Sequence, residues 1–319
     1  MGSVVLSIDA ELGWGHHDFD TPPSNRVEAG RTGWSRLVAL LDEFEVPATW
    51  AIVGHLFLEE CDGRHADHPS PSGWFDRERK QWRSRPDLRF GQELIEAVRA
   101  ASVDHEIGSH SFTHVVFDER ATSRNLARAE IEESLDAAKN FGLDLQSFVF
   151  PRNVVGHRDL LAEYGFQCYR GQSPINRDNS FMPRRLRRLL RGVRPNDESL
   201  LVEPTMDGYG LVNVPASMFL YSFEGQLRDI LAPVIGDLMV RQAKRGIDLA
   251  ARRDGLFHVW LHPNNLHRAY TVVRLRRILA YLAERRDAGD ITIETMDEVA
   301  DRVRSADTLE AGSNTSNGQ

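Results

Sequence analysis

His110 and His114 lie four residues apart in Gly108-Ser109-His110-Ser111-Phe112-Thr113-His114, directly after a short strand-like stretch. On a helical turn, positions i and i+4 share one face with Cβ atoms about 5–6 Å apart. Two imidazoles so placed can reach one metal ion at Zn–N distances of about 2.0–2.1 Å. In a chain with 12 histidines such a pair is weakly specific, and an exposed helical pair reads the same way. It gains meaning only if the chain supplies a third ligand, a base and an acid. Val4 to Ile8 is an apolar run stopped by Asp9-Ala10-Glu11, Ser147 to Phe150 runs into Pro151-Arg152-Asn153, and Leu256 to Leu261 ends at His262. Polar groups that follow buried strands in this way gather on the carboxyl-terminal rim of a parallel barrel. Two histidines and one carboxylate form a catalytic zinc set with a position open to water, and they also suit iron, cobalt, nickel or manganese. A second carboxylate can take the water proton, and a separate histidine can protonate a leaving amine. Together these parts compose a metal-assisted hydrolase acting on an amide.

The elements that must position these groups alternate between strand and helix. Trp34, Leu37, Val38, Leu41 and Phe44 form a helical stripe that ends before Pro47, and Ala48 to Gly54 reads as a second strand. Helices are expected over Gln92 to Ala101 and from a Ser123 N-cap to Phe141, where Gly142 ends the helix. Further elements are a helix at Arg158 to Tyr164, strands at Phe166 to Tyr169 and Leu211 to Val214, and a helical region from Glu224 to about Arg253. Val272 to Arg286 and Met296 to Val303 read as helices flanking a strand at Ile291 to Ile293. This alternation implies a parallel sheet or barrel in one domain over residues 1–305, with 306–319 expected as a disordered polar tail. Two insertions interrupt it. The first, near 61–90, holds His65, His68, Trp74, Phe75 and Trp82, which suit either an ordered flap over a sugar ring or aromatic pins into the core. The second, near 171–210, carries Arg184, Arg185, Arg187, Arg188, Arg191 and Arg194 among leucines. It reads as a solvated amphipathic helix, with contact to anionic lipid or substrate phosphate as the functional alternative.

Composition excludes several classes. With 39 basic and 47 acidic residues the net charge is −8, which argues against general nucleic-acid binding. Two cysteines, Cys61 and Cys168, do not make a disulfide scaffold. No segment approaches ~18 uninterrupted apolar residues, and neither a signal-like leader nor a Gly-rich phosphate loop is present. A cytoplasmic protein, with peripheral membrane contact through Arg184 to Arg194 as an option, is the expectation.

In its order of motifs the chain resembles the polysaccharide deacetylase family, also called the NodB-homology domain or carbohydrate esterase family four. His110-Ser111-Phe112-Thr113-His114 fits the family motif H[ST]xxH, and Leu261-His262 fits its late Leu-His motif. The resemblance runs from about residue 4 to 262. It implies a distorted (β/α) barrel of about seven strands that removes an N-acyl group, usually acetyl, from an amino sugar. It also implies a divalent metal, zinc first, on Glu11, His110 and His114, with Asp9 as base, His262 as acid and the Arg152 N–H in the oxyanion hole. Trp14, Trp74, Trp82 and Asn153 are the candidate substrate contacts. Two motifs depart from the pattern. The first is Asp9-Ala10-Glu11 where the family has adjacent aspartates; two steps along a strand keep both side chains on one face, and the two roles can be exchanged. The third has Val149 where an arginine normally precedes the proline, so the Arg152 guanidinium is expected to orient a carboxylate or bind substrate phosphate. The absence of a leader points to a nucleotide- or lipid-linked precursor of surface glycan. The competing readings are a hydrolase of a cyclic ureide or imide, with or without metal, and a non-catalytic glycan-binding domain.

Overall fold

The computed structural model describes residues 1–172, 200–221 and 237–316. Its centre is β1, Gly2–Ala10, buried along its whole length because its apolar side chains face layers on both sides. The strands that follow are β2 (Thr49–Ile52), β3 (Glu106–Ser109), β4 (Ser147–Val149), β5 (Cys168–Arg170), β6 (Thr205–Met206), β7 (Val212–Asn213), β8 (Met218–Phe219), β9 (Leu256–Leu261) and β10 (Ile291–Glu294). They form one sheet in the order β6-β7-β5-β4-β3-β2-β1-β9-β8, with β10 also paired to β1. Every pairing is parallel except β6 with β7. Residues Ser3 to Val5 pair with both β9 and β10, and Ser7 and Ile8 with both β9 and β2, so β2 and β10 share the edge of β1 opposite β9. Helices surround this sheet, giving a half-barrel that realises the expected distorted (β/α) barrel. The sheet has ten strands rather than about seven, the two-residue strands β6, β7 and β8 accounting for the excess.

Helix α1, Ser24–Glu43, begins a good ten residues before its apolar stripe and packs on the turn Pro263–Leu266 that follows β9. The approach is close: a Cβ at Gly33 would lie 1.9 Å from the Pro263 carbonyl oxygen. A glycine there lets α1 seat the segment that carries His262. Helix α2 spans Gln92–Arg99 and α3 Arg124–Asn140, the latter N-capped by Ser123, whose Oγ accepts from the Leu126 N–H at 3.2 Å. Helices α4 (Arg158–Glu163), α5 (Leu238–Arg253) and α6 (Ala269–Asp287) follow, α5 capped by Asp237.

The last helix, α7, runs Met296–Ser316, through most of the segment expected to be a disordered tail. Arg302 pairs with Glu294 at 2.9 Å, and the Arg304 guanidinium donates to the Gln167 and Gly210 carbonyls. These anchors and the Ala, Arg, Glu and Leu residues of the helix outweigh the polarity on which the tail was read. Arg184 to Arg194 lies outside the described residues, as does the first part of the Glu224 to Arg253 region. No helix among the described residues is long and apolar enough to cross a membrane.

Candidate active site

At the carboxyl ends of β1, β3, β5 and β9 four elements deliver Glu11, His110, His114, Asp9, Arg170 and His262 to one place. Glu11 is the hub. Its Oε1 lies 3.3 Å from His110 Nε2, 3.1 Å from His114 Nε2 and 3.5 Å from His262 Nε2. All but His262, which is 20% exposed, are almost fully buried. Glu11 stands just past the end of β1, where Leu12 at φ 48° turns the chain. A Cβ at Gly15 would sit 1.9 Å from Glu11 Oε2, so the carboxylate folds over a glycine that leaves it room.

The two histidines meet, but not on a helical turn as their spacing suggested. Residues 110–114 form a loop in which Ser111 (φ 61°) and His114 (φ 65°) are left-handed, and this reversal brings the rings to 5.0 Å between centroids. Such backbone persists only where neighbours over-determine it. Here the Gly54 and His55 N–H groups donate to the Ser111 and Phe112 carbonyls at 2.8 and 2.9 Å. Buried Glu130 of α3 accepts from both the N–H and the hydroxyl of Thr113. His110 is fixed further: its Nδ1 donates to the Val149 carbonyl at 2.6 Å, which leaves Nε2 with a lone pair towards Glu11.

Asp9 has a different partner. Arg170, at the end of β5 and fully buried, grips it with two hydrogen bonds, Nη1 to Oδ1 at 2.6 Å and Nη2 to Oδ2 at 2.7 Å. Burial alone would raise the Asp9 carboxyl; the Arg170 guanidinium, helped by His110 and His262, holds it below its usual value. Burial also works against Glu11, and His262 and His114 keep it well below the carboxylate range. His262 is the converse: burial disfavours its charge, yet Glu11 and then Asp9 raise it. Asp9 Oδ2 is 3.9 Å from His262 Nε2.

Arg170 went unnoticed in the sequence, although Cys168-Tyr169-Arg170 closes a strand on the same rim as the other candidates. Arg170 and Arg152 each hold a carboxylate, but only Arg170 holds one of the rim cluster. The Arg152 guanidinium instead reaches Asp18 at 2.6 Å and lies 4.8 Å over the exposed Phe19 ring. The reason is backbone: Arg152 at φ 55° sits in a 3₁₀ turn after β4, aimed along the rim rather than into the barrel. Asn153 also differs from expectation, its Oδ1 accepting from Arg170 Nε and Nη2 at 3.2 and 3.0 Å. Of the tryptophans proposed to meet substrate, Trp14 is 0% exposed and Trp82 packs with Val27 and Leu88, so neither offers a ring face. Trp74 is half-buried, its N–H on Thr113 Oγ1 at 3.0 Å. The insertion's aromatics therefore pin it to the barrel. Phe19, 37% exposed, is an aromatic left open beside Arg152.

Behind Arg170 lies a further buried support. Its Nη1 donates to Ser7 Oγ at 3.1 Å, Ser7 contacts His258 Nε2 at 2.8 Å, and His258 Nδ1 meets the Pro215 carbonyl. Burial, then Arg170, brings His258 down to about 3. The unfolded histidine takes a proton near pH 6.5, so between about 6.5 and 3 the unfolded state binds more protons and stability falls with falling pH. His258→Gln should therefore flatten the acid side of a plot of Tm against pH below about 6. An unchanged slope would show that His258 is not the source.

The fold gathers on one rim of the half-barrel a group of side chains, Glu11, His110 and His114, that could hold one divalent ion. Residues 18–167 match the family model of polysaccharide deacetylases. The matched stretch includes His110, His114 and Arg152; Asp9, Glu11, Arg170 and His262 flank it. No curated protein matches the chain. Among solved structures it is similar to a protein assigned as a polysaccharide deacetylase from Mycobacterium smegmatis, at 16% identity and TM-score 0.63 over 96% of this chain and 91% of that one. A counterpart from Pseudomonas aeruginosa PAO1 gives 15% and 0.59 over 93% and 89%. Puue allantoinase gives 15% and 0.56 over 93% and 88%. At these identities the likeness is one of fold.

Proposed function

We propose that the protein is a metal-dependent deacetylase of N-acylated amino sugars. The observation that carries this reading is the convergence of two histidine Nε2 atoms on one buried carboxylate oxygen. With the His110 proton held on Nδ1, its Nε2 lone pair faces Glu11 Oε1, and a cation between them relieves that repulsion. Glu11, His110 and His114 would hold the metal. Both Asp9 oxygens are engaged by Arg170, which supports Asp9 as base and Glu11 as ligand. A divalent ion bound there supplies Lewis acidity for the acyl carbonyl and a more acidic water.

The chain's own groups do the rest. Each Asp9 oxygen keeps a second lone pair, and Asp9, held ionised by Arg170, takes the proton of the attacking water. The N–H of Arg152, by its place after Pro151, faces the developing oxyanion. As the C–N bond breaks, His262 gives its proton to the sugar nitrogen, releasing carboxylate and free amine.

The test pairs elemental analysis of the purified protein with product release from free, nucleotide-linked and lipid-linked N-acetyl amino sugars and from allantoin. The expected result is acetate release that stops on chelation and returns with zinc or cobalt. Full activity after stripping would refute the metal requirement; opening of allantoin with no acetate from any sugar would refute the substrate class.

A further inference from the structure

A second cluster of donors lies beneath the insertion. His55 follows β2 in the turn Gly54–Phe57, Cys61 and His65 open the insertion, and Glu78 sits in the single helical turn Asp76–Arg79. One donor atom from each lies within 4.8 Å of all the others. Cys61 Sγ is 3.3 Å from His65 Nε2, His65 Nε2 is 3.0 Å from Glu78 Oε2, and His55 Nε2 is 3.0 Å from Glu78 Oε1. Donors around a tetrahedral zinc at bond lengths of about 2.0–2.3 Å stand about 3.3–3.8 Å apart, so a small outward relaxation would seat the ion.

A separate observation concerns His55, whose ring is 0% exposed. Its Nδ1 faces the Arg89 carbonyl at 3.1 Å, an oxygen that can only accept, so the proton belongs on Nδ1. In the neutral ring Nε2 then carries a lone pair directed at the other donors, 3.0 Å from Glu78 Oε1. A buried nitrogen facing a carboxylate and a thiol calls for positive charge between them, supplied by a proton on the ring or by a bound metal cation in its place. The surroundings have the character of an outer shell. The Arg89 Nη2 holds Glu78 Oε1 at 2.6 Å and the Cys61 carbonyl at 2.7 Å, leaving Glu78 Oε2 turned inward. Phe75 stacks on His65 and Trp14 leans on His55, at 4.1 and 4.4 Å between centroids.

We infer that His55, Cys61, His65 and Glu78 form a structural site for a divalent cation of the zinc type, which ties the insertion to the barrel. Four protein donors, with one thiolate and one carboxylate to balance two positive charges, fill a tetrahedral shell and leave no position for substrate. The site reaches the catalytic loop through His55, whose backbone N–H holds the Phe112 carbonyl. It stands apart from the proposed reaction, because it shares no donor with the Glu11 set.

Cobalt loading of the full-length protein tests this, since a thiolate on Co²⁺ gives a charge-transfer band that imidazole and carboxylate do not. The Glu11 set contains no sulfur, and Cys168, the other cysteine, is buried against Ser147 in the core. The band should appear in the wild type, in Cys168→Ala and in His110→Ala, and vanish in Cys61→Ser. If Cys61→Ser fails to fold, alkylation of Cys61 in the wild type still decides, because zinc should slow it about tenfold or more. A cobalt-saturated, folded wild type without the band, or Cys61 alkylated equally fast with and without zinc, would overturn the inference.

Discussion

His110→Ala is expected to lose the metal of the Glu11 set and to release acetate at least ~10³-fold more slowly than the wild type, because Lewis-acid stabilisation is worth several kcal/mol and each ~1.4 kcal/mol is a factor of ten. His110 is fully enclosed, and its Nδ1–H is committed to Val149. The loop around it should survive, since Ser111, Phe112 and Thr113 are held by Gly54, His55 and Glu130 independently of the ring. Near-UV circular dichroism close to that of the wild type, with activity gone, is the expected pairing. Wild-type turnover would remove His110 from the ligand set.

Arg170→Met is expected to act through Asp9. Without the guanidinium, burial is no longer opposed by its strongest counter-charge, and the carboxyl should rise. The base must be ionised to accept a proton, so the acid limb of kcat/KM moves to higher pH by the same amount. At neutral pH the released carboxylate also loses its two-point orientation, and misplacement of this kind costs about 10²-fold. A rise in pH should recover part of the loss. Arg170→Lys should restore much of the pH profile but less of kcat, because an ammonium supplies charge without a fork. A variant slowed equally at every pH would show a merely structural role for Arg170.

Much of the fold was legible because its signals are local. The apolar runs at Val4 to Ile8 and Leu256 to Leu261 became β1 and β9, and the Ser123 cap and Gly142 stop bound α3 as their chemistry requires. The tail was misread because its anchor is remote: Arg304 is held by carbonyls of Gln167 and Gly210, which no window around residue 304 contains.

The same division runs through the candidate site. By itself the sequence determined which residue types the rim would hold, since strand ends followed by Asp, Glu, His and Arg are a pattern along the chain. The folded chain alone decided their partners. Asp9 and Glu11 are equivalent on paper; a buried arginine 161 residues away from Asp9 separates them. Arg152 sits in the turn after β4 and Arg170 ends β5, and these backbone positions send one to Asp18 and the other to Asp9. His55, Cys61, His65 and Glu78 show no metal spacing in sequence, because Glu78 is brought in by the folding of the insertion and His55 precedes it. Charge and proton affinity depend on distances of a few ångströms, and those distances are set by which strands lie side by side.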